Sequence, residues 1–198
     1  MSRISDFFTD IDERWRPAIV RNVQLRIIGS AALMLRSDYE RGTKDGDVLE
    51  AEDLAAEVKD ELVKLAGKKS EIFDRWRMYI DFVTPALPFL PGAPMWHEMS
   101  VLNAKLRNFS VVVLDVVDVV VSKLKRFNSF DQQDIEAMVG LDLVPHERLI
   151  ERFRSAVDGY EMDARAEDLP KYVANLHRIE RDQFGLPSTD IELPAWGA

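Results

Sequence analysis

The chain opens on a hydrophobic pattern with a period near 3.6. Between Ser2 and Arg16 the apolar residues fall at Ile4, Phe7, Phe8, Ile11 and Trp15, which sets them on one side of an amphipathic helix. The pattern then changes. "VQLRIIGS" is β-rich and ends in Gly29 and Ser30, so it predicts a strand. "SAALMLRSDYE" predicts a helix, since Ala and Leu favour it and Ser30 can cap it. "RGTK" makes a turn and "DGDVLEA" a strand. "EDLAAEVKDELVKLAGKK" is a helix with Leu54, Val58, Leu62 and Leu65 along one face and Gly67 as its stop. "RWRMYIDFV" supplies another strand, so the first 83 residues read α-β-α-β-α-β.

The alternation then breaks. "TPALPFLPGAPMW" carries four prolines and is neither a helix nor a central strand. Long loops in compact domains are often functional or mobile. A connector that packs its apolar residues onto the sheet is the equally good alternative. "HEMSVLNAKLRNFSVVVLD" predicts two strands with a turn near Asn103 to Asn108. Asp115 then caps a helix whose buried stripe is Val117, Val120, Val121 and Leu124, with Asp118 in its first turn and the cations of "SKLKRF" at its end. From Asp131 onward the chain reads as helices: "DQQDIEAMVGL", "PHERLIERFRSAVDGY" with Pro145 at its start, and "LPKYVANLHRIERDQFG". The tail reads as irregular. The expected organisation is an α/β domain over 1–129, then a helical region over 130–198 packed on it.

Composition narrows the chemistry. With 198 residues, 46% of them hydrophobic, the chain can bury a core unaided. A net charge of −9 and a pI of about 4.9 argue against a broadly basic nucleic-acid-binding face, so any such contact needs a local basic patch. The absence of cysteine excludes disulfides, thiolate catalysis and iron–sulfur clusters. The N-terminus has early acids and no apolar run, so it is not a signal peptide. Val111 to Val121 is interrupted by two aspartates and is too short to span a bilayer. A cytoplasmic protein without membrane association is the expectation.

Several familiar motifs are absent. "GKKS" at Gly67 to Ser70 resembles the end of a phosphate-binding P-loop, but Leu62 stands where the first glycine belongs and the segment closes a helix. No serine lies in G-x-S-x-G. His97, His146 and His177 are far apart and lack zinc-ligand spacing. "DGD" is not followed by the acids of a calcium-binding EF-hand loop.

One constellation remains. Gly29-Ser30 joins a strand to a helix, and the free N–H groups of a helix N-terminus can receive phosphate. A plain capped turn explains the same two residues. Asp45 and Asp47 lie on a predicted strand, whose period of two puts both carboxylates on one face. Such a pair repels itself unless it is solvated or holds a hard cation such as Mg²⁺. Asp81, between the apolar Ile80 and Phe82 of "MYIDFV", can supply a third carboxylate from a neighbouring strand. Three carboxylates suit a two-metal site with ions roughly 3.5–4 Å apart.

In order and spacing, "IIGSAALML", "RGTKDGDVL" and "YIDFV" resemble the nucleotidyltransferase superfamily, and within it the AbiEii-like and related minimal enzymes. "SKLKRF" and "FDQQDI" continue the likeness, which covers roughly residues 24 to 136. The resemblance implies a mixed sheet packed by helices, with a nucleoside triphosphate as substrate and Mg²⁺ as cofactor. By the same likeness Gly29 and Ser30 hold the triphosphate, and Asp45, Asp47 and Asp81 bind metal, with Asp81 able to act as base. Arg41 and Thr43 shape the loop or touch phosphate. Lys123 neutralises the triphosphate, and Asp131 and Asp134 orient that lysine or the base. Two positions depart from the family's pattern. Gly46 stands where a large aliphatic residue is usual, which predicts a looser strand, and Phe130 stands where arginine is typical.

The reading is therefore an enzyme that moves a nucleoside monophosphate to a hydroxyl of tRNA, another RNA or a protein. The resemblance adds a toxin–antitoxin or phage-defence setting with an antitoxin-like partner. The alternative is a nucleotidyltransferase-like module that binds or regulates without turnover. The clusters "KLKRF" and "RWR" are local cations on an acidic body, and lysine–arginine clusters are more often solvated faces than docking sites.

Overall fold

The computed structural model describes residues 2–16, 22–40, 42, 45–50, 54–160 and 164–194. These residues form two compact units. The first comprises 1–87 and 96–114, and the second 88–95 and 115–198. The chain thus divides after Leu114, so the helix that follows Asp115 groups with the helices beyond it and not with the sheet.

The first unit is the expected mixed α/β layer. Its elements are α1 (Arg3–Arg14), β1 (Val23–Ile27), α2 (Gly29–Arg36), β2 (Asp45–Leu49), α3 (Ala56–Ala66), α4 (Glu71–Trp76), β3 (Tyr79–Val83), β4 (Trp96–Glu98), α5 (Ser100–Asn103) and β5 (Phe109–Leu114). The sheet runs β3-β2-β1-β5-β4, with β1 antiparallel to β2 and parallel to β5, β2 parallel to β3, and β4 antiparallel to β5. Alternation decides its faces. Val23, Leu25 and Ile27 of β1 are buried, whereas Gln24 and Arg26 between them are not.

Helix α1 buries Ile4, Phe7, Phe8 and Ile11, as its periodicity predicts. It is tied down by two acids. The Asp12 carboxylate, 2% exposed, accepts from the N–H groups of Arg107, Asn108 and Phe109 at 2.9, 2.8 and 3.2 Å, fixing the chain as it enters β5. Asp10 accepts from Trp76 Nε1 at 2.7 Å and from Arg14 at 2.8 Å. Burial works against the Asp10 charge, but the hydrogen bonds from Trp76 and Arg14 and the charges of Arg14 and Arg75 outweigh it and hold its pKa low.

Two elements depart from the pattern reading: α5 is a short helix where only two strands and a turn are predicted, and α4 precedes β3. Arg75 and Trp76 belong to α4 and not to the following strand. The reason is local: the Ser70 hydroxyl accepts from Phe73 N–H at 3.1 Å, and Glu71 and Asp74 sit in the first turn, where the helix dipole favours acid. Arg77, at φ 55°, ends that helix and turns the chain into β3.

The second unit is helical: α6 (Val116–Arg126), α7 (Ser129–Gly140), α8 (His146–Asp158) and α9 (Leu169–Ile179), extended by a wide π turn over Glu180–Phe184. Asp115 caps α6 by accepting from Val117 N–H at 3.0 Å. The proline-rich segment packs here through Phe89. The Phe89 ring is fully buried, 5.4, 5.3 and 5.1 Å from the rings of Phe153, Tyr160 and Tyr172. Arg152 secures the same segment, donating to Ala93 O and pairing with buried Asp118, which also accepts from Met95 N–H.

Where α6 meets α7, the Lys123 ammonium lies 2.7 Å from Asp134 and 3.3 Å from Asp131. Arg126 donates two further bonds to Asp131, at 2.8 and 2.9 Å. Burial pushes the Asp131 carboxyl up, but the Arg126 bonds, the charges of Lys123 and Arg126 and the Asn128 N–H together hold it below an ordinary aspartate. Buried Glu180 is lowered in the same way by Thr189 and His146. Carboxyls lowered in the folded state contribute stability above their unfolded pKa, about 4, and lose it as pH falls through the folded value. Melting followed by circular dichroism therefore shows a transition temperature that drops from about pH 4 downward, and Asp131→Asn flattens part of that acid limb.

No helix among the described residues is long and apolar enough to cross a membrane.

Candidate functional site

Strands β2 and β3 run parallel and in register, with Asp45 opposite Tyr79, Gly46 opposite Ile80 and Asp47 opposite Asp81. Directly paired residues point to the same face, so Asp45, Asp47, Asp81 and Tyr79 share one side of the sheet. Their charges meet at the Tyr79 hydroxyl. Burial, the hydrogen bond that hydroxyl donates to Asp45, and the charges of Asp45, Asp81 and Asp47 all push its pKa well above that of an ordinary tyrosine.

The junction of β1 and α2 meets the same carboxylates. Ile28 N–H donates to Asp47 O at 2.9 Å, carrying the chain from β1 into α2 alongside β2. Gly29 opens the helix at φ +63°, a conformation that favours glycine. A Cβ there would stand 2.7 Å from Asp47 Oδ2, so the missing side chain lets the backbone approach the carboxylate. Ser30 does not cap the helix. The capping position is Ile28, no side chain fills it, and Ser30 lies in the first turn. The N-terminus of α2 thus stands beside Asp47.

The reverse face explains Gly46. A Cβ at this position would lie 3.6 Å from a Phe7 ring carbon and 3.8 Å from one of Phe8, both buried. The aromatic pair of α1 fills the volume that a large aliphatic residue at position 46 would take, so the strand is packed and not loosened. Gly46→Leu overfills that space and costs about 1–3 kcal/mol, read as a lower urea midpoint, whereas Gly46→Ala meets only ordinary contacts and leaves the midpoint close to wild type.

Tyr79 and Lys68 are site residues that the motif reading leaves out. Lys68 Nζ lies 3.8 Å from Asp81 Oδ2 and 4.6 Å from the centre of the Tyr79 ring. Tyr79 had a signal in the sequence, because it precedes Asp81 by two residues as Asp45 precedes Asp47, and parallel pairing sets the two dipeptide steps side by side. Lys68 had none. It sits in the "GKKS" turn, and its place follows from how that turn returns the chain through α4 to β3.

The carboxylates are oxygen donors of the kind that suits a hard divalent cation. As they stand, no three acidic or histidine side chains among the described residues are gathered closely enough to hold a metal ion. Like charges on one face repel, and two of the three lean on separate partners: Asp45 on Tyr79 and Asp81 on Lys68.

The remaining expected residues lie elsewhere. Arg41 and Thr43 fall outside the described residues. Lys123, Asp131 and Asp134 are gathered in the helical unit, with the Lys123 side chain 6% exposed between two buried carboxylates. Phe130 is 56% exposed, and the guanidinium that grips Asp131 comes from Arg126.

No curated protein and no solved structure matches the chain significantly. Residues 7–181 match a protein family described as "Nucleotidyltransferase of unknown function (DUF6036)".

Proposed function

The chain belongs to that nucleotidyltransferase family, and on this premise we propose that it transfers a nucleoside monophosphate from a nucleoside triphosphate to an acceptor hydroxyl. The observation that carries the reading is the in-register set of Asp45, Asp47 and Asp81 beside the close approach of Gly29. Asp45 and Asp47 are the residues that would hold Mg²⁺, with Asp81 as the third ligand or the base. The metal supplies charge neutralisation at the phosphates. The protein's own groups do the rest. The first N–H groups of α2, with the Ser30 hydroxyl, receive the triphosphate. Asp81 takes the proton of the acceptor hydroxyl, whose oxygen bonds to the α-phosphorus as the bond to the bridging oxygen breaks and pyrophosphate leaves. Tyr79, protonated throughout the neutral range, holds Asp45 in place.

The resemblance also suggests Arg41 and Thr43, which precede β2 in the sequence, and Lys123 as phosphate-contacting groups. From the resemblance to AbiEii-like enzymes we also propose a toxin–antitoxin or phage-defence setting with an antitoxin-like partner. That narrower setting rests on the "RGTKDGD" order and the Lys123–Asp131–Asp134 cluster.

A silent, nucleotide-binding module has one observation in its favour, the separate partners of Asp45 and Asp81. Calorimetry separates the readings from a protein with no nucleotide site at all. Titration of each nucleoside triphosphate should give binding that needs Mg²⁺ and is lost in Asp47→Ala. No metal-dependent binding of any nucleotide would sink both. Binding without transfer would leave the silent module.

A further inference from the structure

We propose that the acceptor is a nucleic-acid strand, held by its phosphate backbone at Lys68 on the β3 side of the carboxylates. This rests on the nucleotidyl-transfer reading and names the class of its second substrate.

The sheet order sets the sides of the site. With β3-β2-β1 as neighbours, the α2 N-terminus approaches Asp47 from the β1 side, whereas Lys68 stands over Tyr79 and beside Asp81 on the β3 side. The triphosphate belongs with α2. The group next to Asp81 is the incoming hydroxyl, so a cation there serves whatever carries that hydroxyl. A ribose hydroxyl brings a phosphodiester one linkage away. A serine, threonine or tyrosine hydroxyl brings no fixed negative charge.

Lys68 is suited to exchange partners. Its side chain is 64% exposed and its contact with half-exposed Asp81 is 3.8 Å, a geometry in which an ion pair contributes little and is screened by salt. The segment around it is richer in cations than the chain as a whole. From Lys64 to Arg77 there are five cations (Lys64, Lys68, Lys69, Arg75 and Arg77) against two acids (Glu71 and Asp74), on a protein of net charge −9. Lys68 and Lys69 are exposed in the turn before α4, and exposed Arg77 ends α4 just before β3. Lys64, Arg75 and Arg77 are paired with Glu61, Asp10 and Asp74, so Lys68 and Lys69 are the exposed lysines this segment offers to a polyanion, which an acidic protein receives only at such local cations.

The test is fluorescence anisotropy of a labelled short single-stranded RNA over a series of KCl concentrations, run beside calorimetry with Mg²⁺ and nucleoside triphosphate. The wild type binds the RNA. Lys68→Gln weakens this several-fold and lowers the slope of log affinity against log salt by about 0.7, without weakening nucleotide binding. Arg181→Gln, an exposed charge of the helical unit, changes neither. The inference is overturned if the RNA does not bind, which favours a protein acceptor. It is overturned equally if RNA binding ignores Lys68→Gln, or if Lys68→Gln weakens nucleotide binding as much as RNA binding. Nucleotide binding that is absent, or indifferent to Asp47→Ala, sinks the underlying reading and this inference with it. Intact nucleotide binding with Lys68-insensitive RNA binding sinks the inference alone.

Discussion

Asp47→Ala is expected to lower kcat/KM for nucleotide transfer on the order of 10³-fold, the loss that follows removal of one preorganised charge-stabilising group. The same change should cost far less stability than activity. Asp47 shares a sheet face with Asp45 and Asp81, and its Oδ2 sits 2.7 Å from where a Gly29 Cβ would stand. Removing it relieves like-charge repulsion and opens space. A structural aspartate would behave in the opposite way, with stability and activity falling together. Transfer kinetics and a urea midpoint on the same sample distinguish the two.

The largest stability effect should come from the other unit. Lys123→Met removes the ammonium between Asp131 and Asp134, the latter 0% exposed. Breaking a buried pair from one side leaves a charge in a low-dielectric interior and costs about 3–5 kcal/mol. Asp131 keeps the two Arg126 bonds, so Asp134 bears most of the loss. Adding Asp134→Leu to Lys123→Met should recover most of the midpoint, since an apolar replacement of both partners removes the stranded charge. If the double variant is no better than the single, the lysine stabilises the helices by something other than this pair.

The fold was largely legible because its elements carry strong local signals. The stripe of Phe7, Phe8 and Ile11, the alternation of Val23 to Ile27, and the cap at Asp115 each predicted an element that the structure contains. Helix α4 was hidden because Arg75 and Trp76 run straight into "RMYIDFV", and only the bond from Phe73 N–H to Ser70 shows that the chain turns first. The destination of the proline-rich segment was hidden for a different reason. Phe89 packs among Phe153, Tyr160 and Tyr172, residues far along the chain that no periodicity connects to it.

For the site, spacing was informative within a strand and silent between elements. The period of two placed Asp45 and Asp47 together, and Asp81 joined them through a single strand pairing. The compensation for Gly46 could not be read, because the groups that fill its space belong to α1. Lys68 could not be placed for the same reason. Its motif is a failed P-loop, and its position depends on a turn, a short helix and the start of β3.

Nucleotidyl transfer is tested most directly by the fate of the label in nucleoside triphosphates carrying ³²P at the α or the γ position. With Mg²⁺ and total RNA as acceptor, the α-label should pass to RNA and the γ-label should appear only in released pyrophosphate, both dependent on Asp47. A γ-label on the acceptor would show phosphoryl transfer in place of nucleotidyl transfer. No label on RNA or protein from any nucleotide, in a sample that binds Mg²⁺ and nucleotide, would contradict turnover altogether.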